Sequence, residues 1–283
     1  HQGLGDALAA HAPDEFDALA VHYKAAGQIG RAAEATASAA NVAAQQLAFD
    51  RAAQLYRQAL VLLPPEAPGR PAVSIKLGNC LAGAGRGPEA AAAYASALTW
   101  GRTAPEVALD IRRRMAEQLL CSGHVDEGIL ALNQVLSEVG MTLPSGPRLA
   151  LARVALRRAQ LALRGLDFTE VPQSAVTPEK LRKIDVCWSA SVGLGMIDAL
   201  RGSSFQTLQL ILALDAGEPY RVARALAGEA SYISALGINA QARAAKLLEE
   251  AQRLAVRVGD PWLAGLIEFC TGVVRQGVMQ SYP

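Results

Sequence analysis

The chain has 283 residues, 51% hydrophobic but only 5% aromatic, and its 27 Lys and Arg against 26 Asp and Glu leave a net charge of +1. That near neutrality excludes a global electrostatic attraction to nucleic acid or to a membrane, so any such site would have to be local. Alanine inflates the hydrophobic share without supplying large core side chains, and as the best helix former it favours many thin, closely packed helices. Val, Ile, Thr and aromatic residues never gather into strand-length runs, which excludes a β-rich fold.

Periodicity predicts helix pairs near residues 14–40, 72–100, 108–139, 180–216 and 219–257, additional helices around 41–62 and 147–165, and a final helix over about 261–276. In the first pair Leu19, Ala20 and Tyr23 precede Ala32. The segment that follows places Ala52, Tyr56, Ala59 and Pro64 in the pattern A-x3-Y-x2-A-x4-P. Ala90, Tyr94 and Ala97 repeat its first three terms 38 positions further on, and Gly128, Leu132 and Val135 repeat them after another 38. Leu77, Gly78 and Leu81 lie ahead of Ala90 as Met115, Ala116 and Leu119 lie ahead of Gly128. Leu194 and Gly195 stand in the same relation to Thr207, with Pro219 at the closing position. Spacings of three and four put each set on one helical face. Gly27, Gly85, Gly123, Gly202 and Gly237 are expected to end the first helix of a pair, where positive φ is needed.

The compartment follows from smaller signals. Cys80, Cys121, Cys187 and Cys270 form no CxxC pair, so neither structural zinc nor a disulfide framework is expected and a reducing cytoplasm fits. The most apolar segment, Val186 to Ile197, is bounded by Asp185 and Asp198 and reads as a buried helix, so no membrane partner is expected. There is no signal-peptide pattern. A start at His1 without Met, and a stop at Pro283 soon after an apolar run, are what a piece of a longer protein would show.

The paired pattern resembles the tetratricopeptide repeat, W-x2-L-G-x2-Y…A-x3-F…P. It departs from that pattern at the Trp position, held by Phe16, Ser74, Arg112 or Ser191, and in a spacing of 38 where the family has about 34. The longer segments LAFDRAAQLYRQAL, AEQLLCSGHVDEGILAL, IDVCWSASVGLGMIDALRG and AGEPYRVARALAGEA look like the helical-repeat region of bacterial multidomain serine/threonine protein kinases and signal-transduction ATPases, most specifically over Ile184 to Ala227. The resemblance implies an all-α, right-handed superhelix of helix-turn-helix repeats, lying downstream of a kinase and an ATPase switch domain, that senses a partner or holds the switch inactive.

The chain lacks a phosphate loop, kinase signatures, a G-x-S-x-G elbow and an H-E-x-x-H helix, so no catalytic, cofactor or metal residue is assigned. Gly193-Leu194-Gly195 lacks a third glycine and a preceding strand, and close helix packing explains it better. His22 and Tyr23 are adjacent and point about 100° apart; His124 falls in a turn.

One charge feature is asymmetric. The helix from Arg148 to Arg164 carries Arg148, Arg153, Arg157, Arg158 and Arg164 with no acid. Arg153, Arg157 and Arg158 are a candidate basic patch for an acidic partner, a phosphate-bearing ligand or RNA; without interleaved aromatics the nucleic-acid reading is disfavoured, and an amphipathic helix with its arginines solvated or paired is the simpler reading.

In tetratricopeptide arrays the first helix of each pair lines the inner face, which makes Asp14, Asp17, Lys24, Asn79, Asp110, Arg113 and Glu117 the candidate partner-binding residues here. Asn79 matches the Asn of the family's chaperone-tail carboxylate clamp, whereas Ile75 stands where that clamp has Lys, which disfavours chaperone C-termini. The organisation expected is a repeat block over 1–143, the Arg-rich helix and a linker over 144–178 that could act as a hinge, and a second block over 179–283. The functional expectation is a non-catalytic interaction and regulatory module whose partner is a protein, a peptide or other domains of its own parent chain. The alternative is a receptor that takes up a small ligand or peptide. The last helix, with Trp262, Leu263, Leu266, Ile267 and Phe269, is expected to leave an apolar face uncovered and to permit self-association.

Overall fold

The computed structural model describes residues 1–12, 14–99, 103–235 and 237–279. The described residues are all-helical, without strands. The helices are α1 (Gln2–His11), α2 (Phe16–Ala25), α3 (Ile29–Gln45), α4 (Phe49–Leu62), α5 (Arg70–Gly83), α6 (Gly87–Thr99), α7 (Pro105–Cys121), α8 (Val125–Glu138), α9 (Pro147–Arg164), α10 (Pro178–Gly195), α11 (Ala199–Ala216), α12 (Pro219–Ser234), α13 (Ile238–Val258) and α14 (Pro261–Met279). A 3-10 turn occupies Gln173–Ala175. The chain divides into two compact units, His1–Leu132 and Asn133–Pro283, the boundary falling within α8.

In the first unit each helix from α1 to α7 packs against the next, as a helical repeat does. The 38-residue period is visible in the backbone. Leu47, Gly85 and Gly123, each 38 positions from the last, turn the chain with φ of 60°, 74° and 83°. The amides that follow, on Ala48, Arg86 and His124, donate to the carbonyls of Ala43, Leu81 and Leu119, closing the same turn three times. Gly27 makes the same kind of turn between α2 and α3.

This register regroups the helices. Residues 41–45 finish α3, which pairs with α4 across the Leu47 turn, so the segment predicted at 41–62 is not one separate helix. Ala39, Ala40 and Ala43 of α3 are the counterparts of Leu77, Gly78 and Leu81, and all six are buried. The sequence pattern missed this copy because alanines replace the leucines and a leucine replaces the turn glycine. Helix α1 was not foreseen either; it packs on α2 with Gly5 against the Tyr23 ring.

The core follows the repeat. Ala52, Ala59, Ala90 and Ala97 are fully buried, and Tyr56, Tyr94 and Leu132 fill the spaces between helices. Burying each such large side chain contributes roughly 1.5–3 kcal/mol, whereas the alanines act mainly by letting helix axes approach. A Cβ on Gly78 would lie 2.5 Å from the Tyr94 ring, so the bare backbone there is required by packing.

In the second unit α10 packs on α11, α11 on α9 and α12, α12 on α13, and α14 on both α12 and α13. Proline opens α9, α10, α12 and α14, where its missing N–H has no helical partner to lose. Asp198 caps α11 through the Arg201 amide, and Glu218 caps α12 through the amides of Tyr220 and Arg221, all at 3.0 Å. Gly202 does not end a helix, contrary to its predicted role. It lies inside α11, where a Cβ would come 3.1 Å from the Gly195 nitrogen and 2.5 Å from the Tyr232 hydroxyl. Close approach of α10 and α11 at Gly195 and Gly202 is the packing use expected for the glycine pair at 193–195.

The segment after α9 is pinned to its own unit. The Val171 amide donates to the Gly217 carbonyl at 2.9 Å, Arg257 pairs with Glu170 at 2.5 Å, and Val176 is buried. Leu263 and Ile267 of α14 are likewise buried in the second core and Leu266 packs on it. The apolar face expected to lie bare is therefore mostly covered, and only Trp262 and Phe269 of the five named residues are exposed.

Candidate functional site

Two of the sequence-predicted residues share a groove. Asp17 and Lys24 of α2 line a depression of about 500 Å³ with Val21, Leu55, Arg57 and Val61. Helix α3 supplies Thr36 to its floor, and its hydroxyl is satisfied internally by the Ala32 carbonyl at 2.7 Å. Val21 and Val61 are 63% and 85% exposed, so the groove presents apolar surface between charged margins. Asp17 pairs with Arg51 at 2.7 Å and Arg57 with Glu89 at 2.6 Å, both in solvent, where such pairs contribute about 0–1 kcal/mol and open readily. Asp14 lies exposed in the turn before α2.

Asn79, Asp110, Arg113 and Glu117 are brought together elsewhere in the same unit, in a polar ladder joining α5 to α7. Asn79 accepts hydrogen bonds from the Tyr94 hydroxyl at 2.8 Å and from Arg114 at 2.9 Å. Asp110 pairs with Arg113 at 2.6 Å and Arg114 at 2.7 Å, and Glu117 stands 3.6 Å from Arg113. The ladder has a second copy that sequence reasoning missed. Asn41 accepts from Tyr56 at 2.7 Å and from Lys76 at 2.9 Å, and each of these three residues lies 38 positions before its counterpart. The period alone would have located Asn41 and Lys76. Burial pushes Tyr56 and Tyr94 up to about 12, so both phenols stay protonated and donate.

Ile75 lines a different groove, of about 860 Å³, walled by Pro65, Ala67, Pro68, Pro71 and Val107. Among the described residues Glu66 is its one charged wall residue.

The candidate basic patch splits. Arg158 reaches Glu229 of α12, whose side chain is fully buried, and Ser203 of α11 at 3.3 Å. Arg153 donates to the Thr142 carbonyl at 2.6 Å and Arg157 to Gln160 at 2.8 Å, both neutral partners. Burial raises the Glu229 carboxyl above its ordinary value, against the opposing pull of Arg158 and Arg243.

The second unit also holds a cluster that sequence reasoning read only as the edge of an apolar segment. Asp185 of α10 binds Arg221 at 2.7 Å and Arg224 at 2.5 Å. Burial pushes its carboxyl up, but the two guanidinium groups more than offset this and hold it below the ordinary value. Arg224 lies over the rings of Trp188 and Tyr220, at 5.0 and 5.6 Å, and Tyr220 stacks on Trp262 at 6.4 Å. An internal guanidinium occupies the aromatic faces of the cluster.

No group of three or more His, Cys, Asp or Glu among the described residues could hold a metal ion. The four cysteines are free thiols, and burial pushes Cys187 up to about 12, away from nucleophilic character at neutral pH. Among the described residues no helix is long and apolar enough to cross a membrane. No protein-family model matches the chain, and no curated protein matches it in sequence.

Proposed function

We propose that the chain is a non-catalytic protein-interaction module built from tetratricopeptide-like pairs, each unit winding with the right-handed sense of that family. Its role on this reading is regulatory, within a larger bacterial signalling protein that carries a serine/threonine kinase and an ATPase switch, and its compartment is the cytoplasm. The supporting observation is the groove at Asp17 and Lys24, where exposed Val21 and Val61 sit between charged margins. An apolar strip with a polar rim is the anatomy of a peptide- or domain-binding surface. Sequence resemblance alone supports the kinase context.

Isothermal titration of the chain against the kinase and ATPase domains of its parent tests the reading. Binding that Val61→Asp weakens about tenfold or more supports it, as expected for an apolar anchor at the centre of an interface. No heat in any nucleotide state overturns the regulatory role. Saturable uptake of a small ligand without any protein partner would favour the receptor alternative.

A further inference from the structure

Helix α9 has two apolar faces, and only one is used. Ala150 and Leu161 are buried, and the helix packs on α11. On the exposed side Leu149, Ala152, Leu156, Ala159 and Leu163 succeed one another at spacings of three and four, and Leu166 continues the series just past the helix end. Leu149, Leu156 and Leu163 are 43%, 55% and 89% exposed. This is the 3.5-residue seam by which one helix receives another, with leucine knobs alternating with alanine holes. Single exposed leucines need no explanation, but a heptad seam of them does.

The charge beside the seam selects the occupant. Arg148 and Arg153 flank it at the positions that set partner choice in a coiled coil. Among the described residues neither these two nor Arg157 has a carboxylate partner, whereas Arg158 and Arg164 are neutralised by Glu229 and Asp215. A second copy of α9 would bring arginine against arginine, since Pro147–Arg164 contains no acid. A lipid surface would favour aromatic anchors, and α9, although Leu151 beside the seam is also 61% exposed, has no aromatic residue. We propose that α9 is a docking helix for an acidic amphipathic helix of a partner protein, with leucine-type residues in the seam and Asp or Glu beside them. This surface belongs to the second unit and is argued without the groove of the first, so the two readings fail separately.

The probe is a labelled synthetic helix of about three heptads, with Leu at the seam positions and Glu flanking them, titrated into the full chain by fluorescence anisotropy. Binding that weakens with added salt is expected, with a Lys-flanked version at least about tenfold weaker. Leu156→Glu and Leu163→Glu should each weaken binding by about tenfold or more, and Arg148→Glu combined with Arg153→Glu should reverse the preference between the two peptides. Because Leu163 is 89% exposed, Leu163→Glu gives a reading even if Leu156→Glu perturbs helicity. Equal affinity for both peptides, or no binding of either, overturns the proposal. So does capture of the chain by phosphatidylserine vesicles, or its dimerisation, if either is abolished by Leu163→Glu while the peptides fail to bind.

Discussion

Leu47 and Gly85 make the same turn 38 residues apart, with φ of 60° and 74°. A left-handed backbone costs a side-chain-bearing residue about 1–2 kcal/mol and costs glycine far less sterically, though glycine gives up more chain entropy. Leu47 is 72% exposed, so little packing offsets that strain. Leu47→Gly should therefore stabilise the first unit by about 0.5–1 kcal/mol, and Gly85→Leu should destabilise it by about 1–2 kcal/mol. Thermal melts of the two variants check the pair; melting shifts of the same sign would refute the equivalence of the turns.

Gly78 faces the Tyr94 ring with no room for a methyl group, 2.5 Å separating the ring from where a Cβ would sit. Gly78→Ala is expected to destabilise by about 1–3 kcal/mol through forced displacement of the ring. Tyr94→Phe removes the hydrogen bond to Asn79, which Arg114 still partners, and should cost about 1 kcal/mol or less. Urea denaturation of both variants ranks the two effects, and a larger loss for Tyr94→Phe would contradict the packing account.

The repeats were legible in the sequence wherever their large residues and turn glycines survived. Tyr56, Tyr94, Gly85 and Gly123 mark two units plainly, whereas α3 hides its half behind Ala39, Ala40, Ala43 and Leu47. Side-chain identity also concealed the use of Gly202, since a glycine that ends a helix and one that admits a neighbouring helix look alike in sequence. The groove residues Asp17 and Lys24 were picked by reading α2 as the first helix of a pair with α3, whereas the 38-residue register pairs α3 with α4. Glu229 and Asp185 were not picked, because their partners lie far along the chain: Arg158 is 71 residues before Glu229, and Arg221 is 36 after Asp185.

Removing Arg158 would leave the Glu229 carboxylate buried without its guanidinium. Arg158→Ala should destabilise the second unit at neutral pH by about 3–5 kcal/mol. Burial places the folded-state value of Glu229 above the ordinary 4.5, so the folded state holds its proton to higher pH than the unfolded chain does. The stability attached to that proton is therefore present at acid pH and declines as pH rises from 4.5 through the folded value. Loss of Arg158 raises that value further and deepens the decline. Urea melts at several pH values should show the variant close to the parent in acid and falling away toward neutrality; a constant difference across pH would count against this.

Asp185 gives the opposite dependence. Its carboxyl is held below the ordinary 3.8 once burial and the two arginines are balanced, so its contribution is present above 3.8 and is lost as pH falls through the lower folded value. Asp185→Asn should remove this acid-dependent loss and destabilise the unit at neutral pH. It should also shift the emission of Trp188, since Arg224 would no longer be anchored over that ring. Unchanged emission with unchanged acid sensitivity would show that the cluster is not held by Asp185.

Hydrogen exchange of the chain, measured alone and with the kinase and ATPase domains of its parent, tests most directly whether the first unit receives a protein partner. Slowed exchange in α2 over Asp17–Lys24 and in α4 over Leu55–Leu62 is the expected result, lost in Val61→Asp. Partner binding that leaves both segments unprotected would contradict the assignment of this groove as the interaction site.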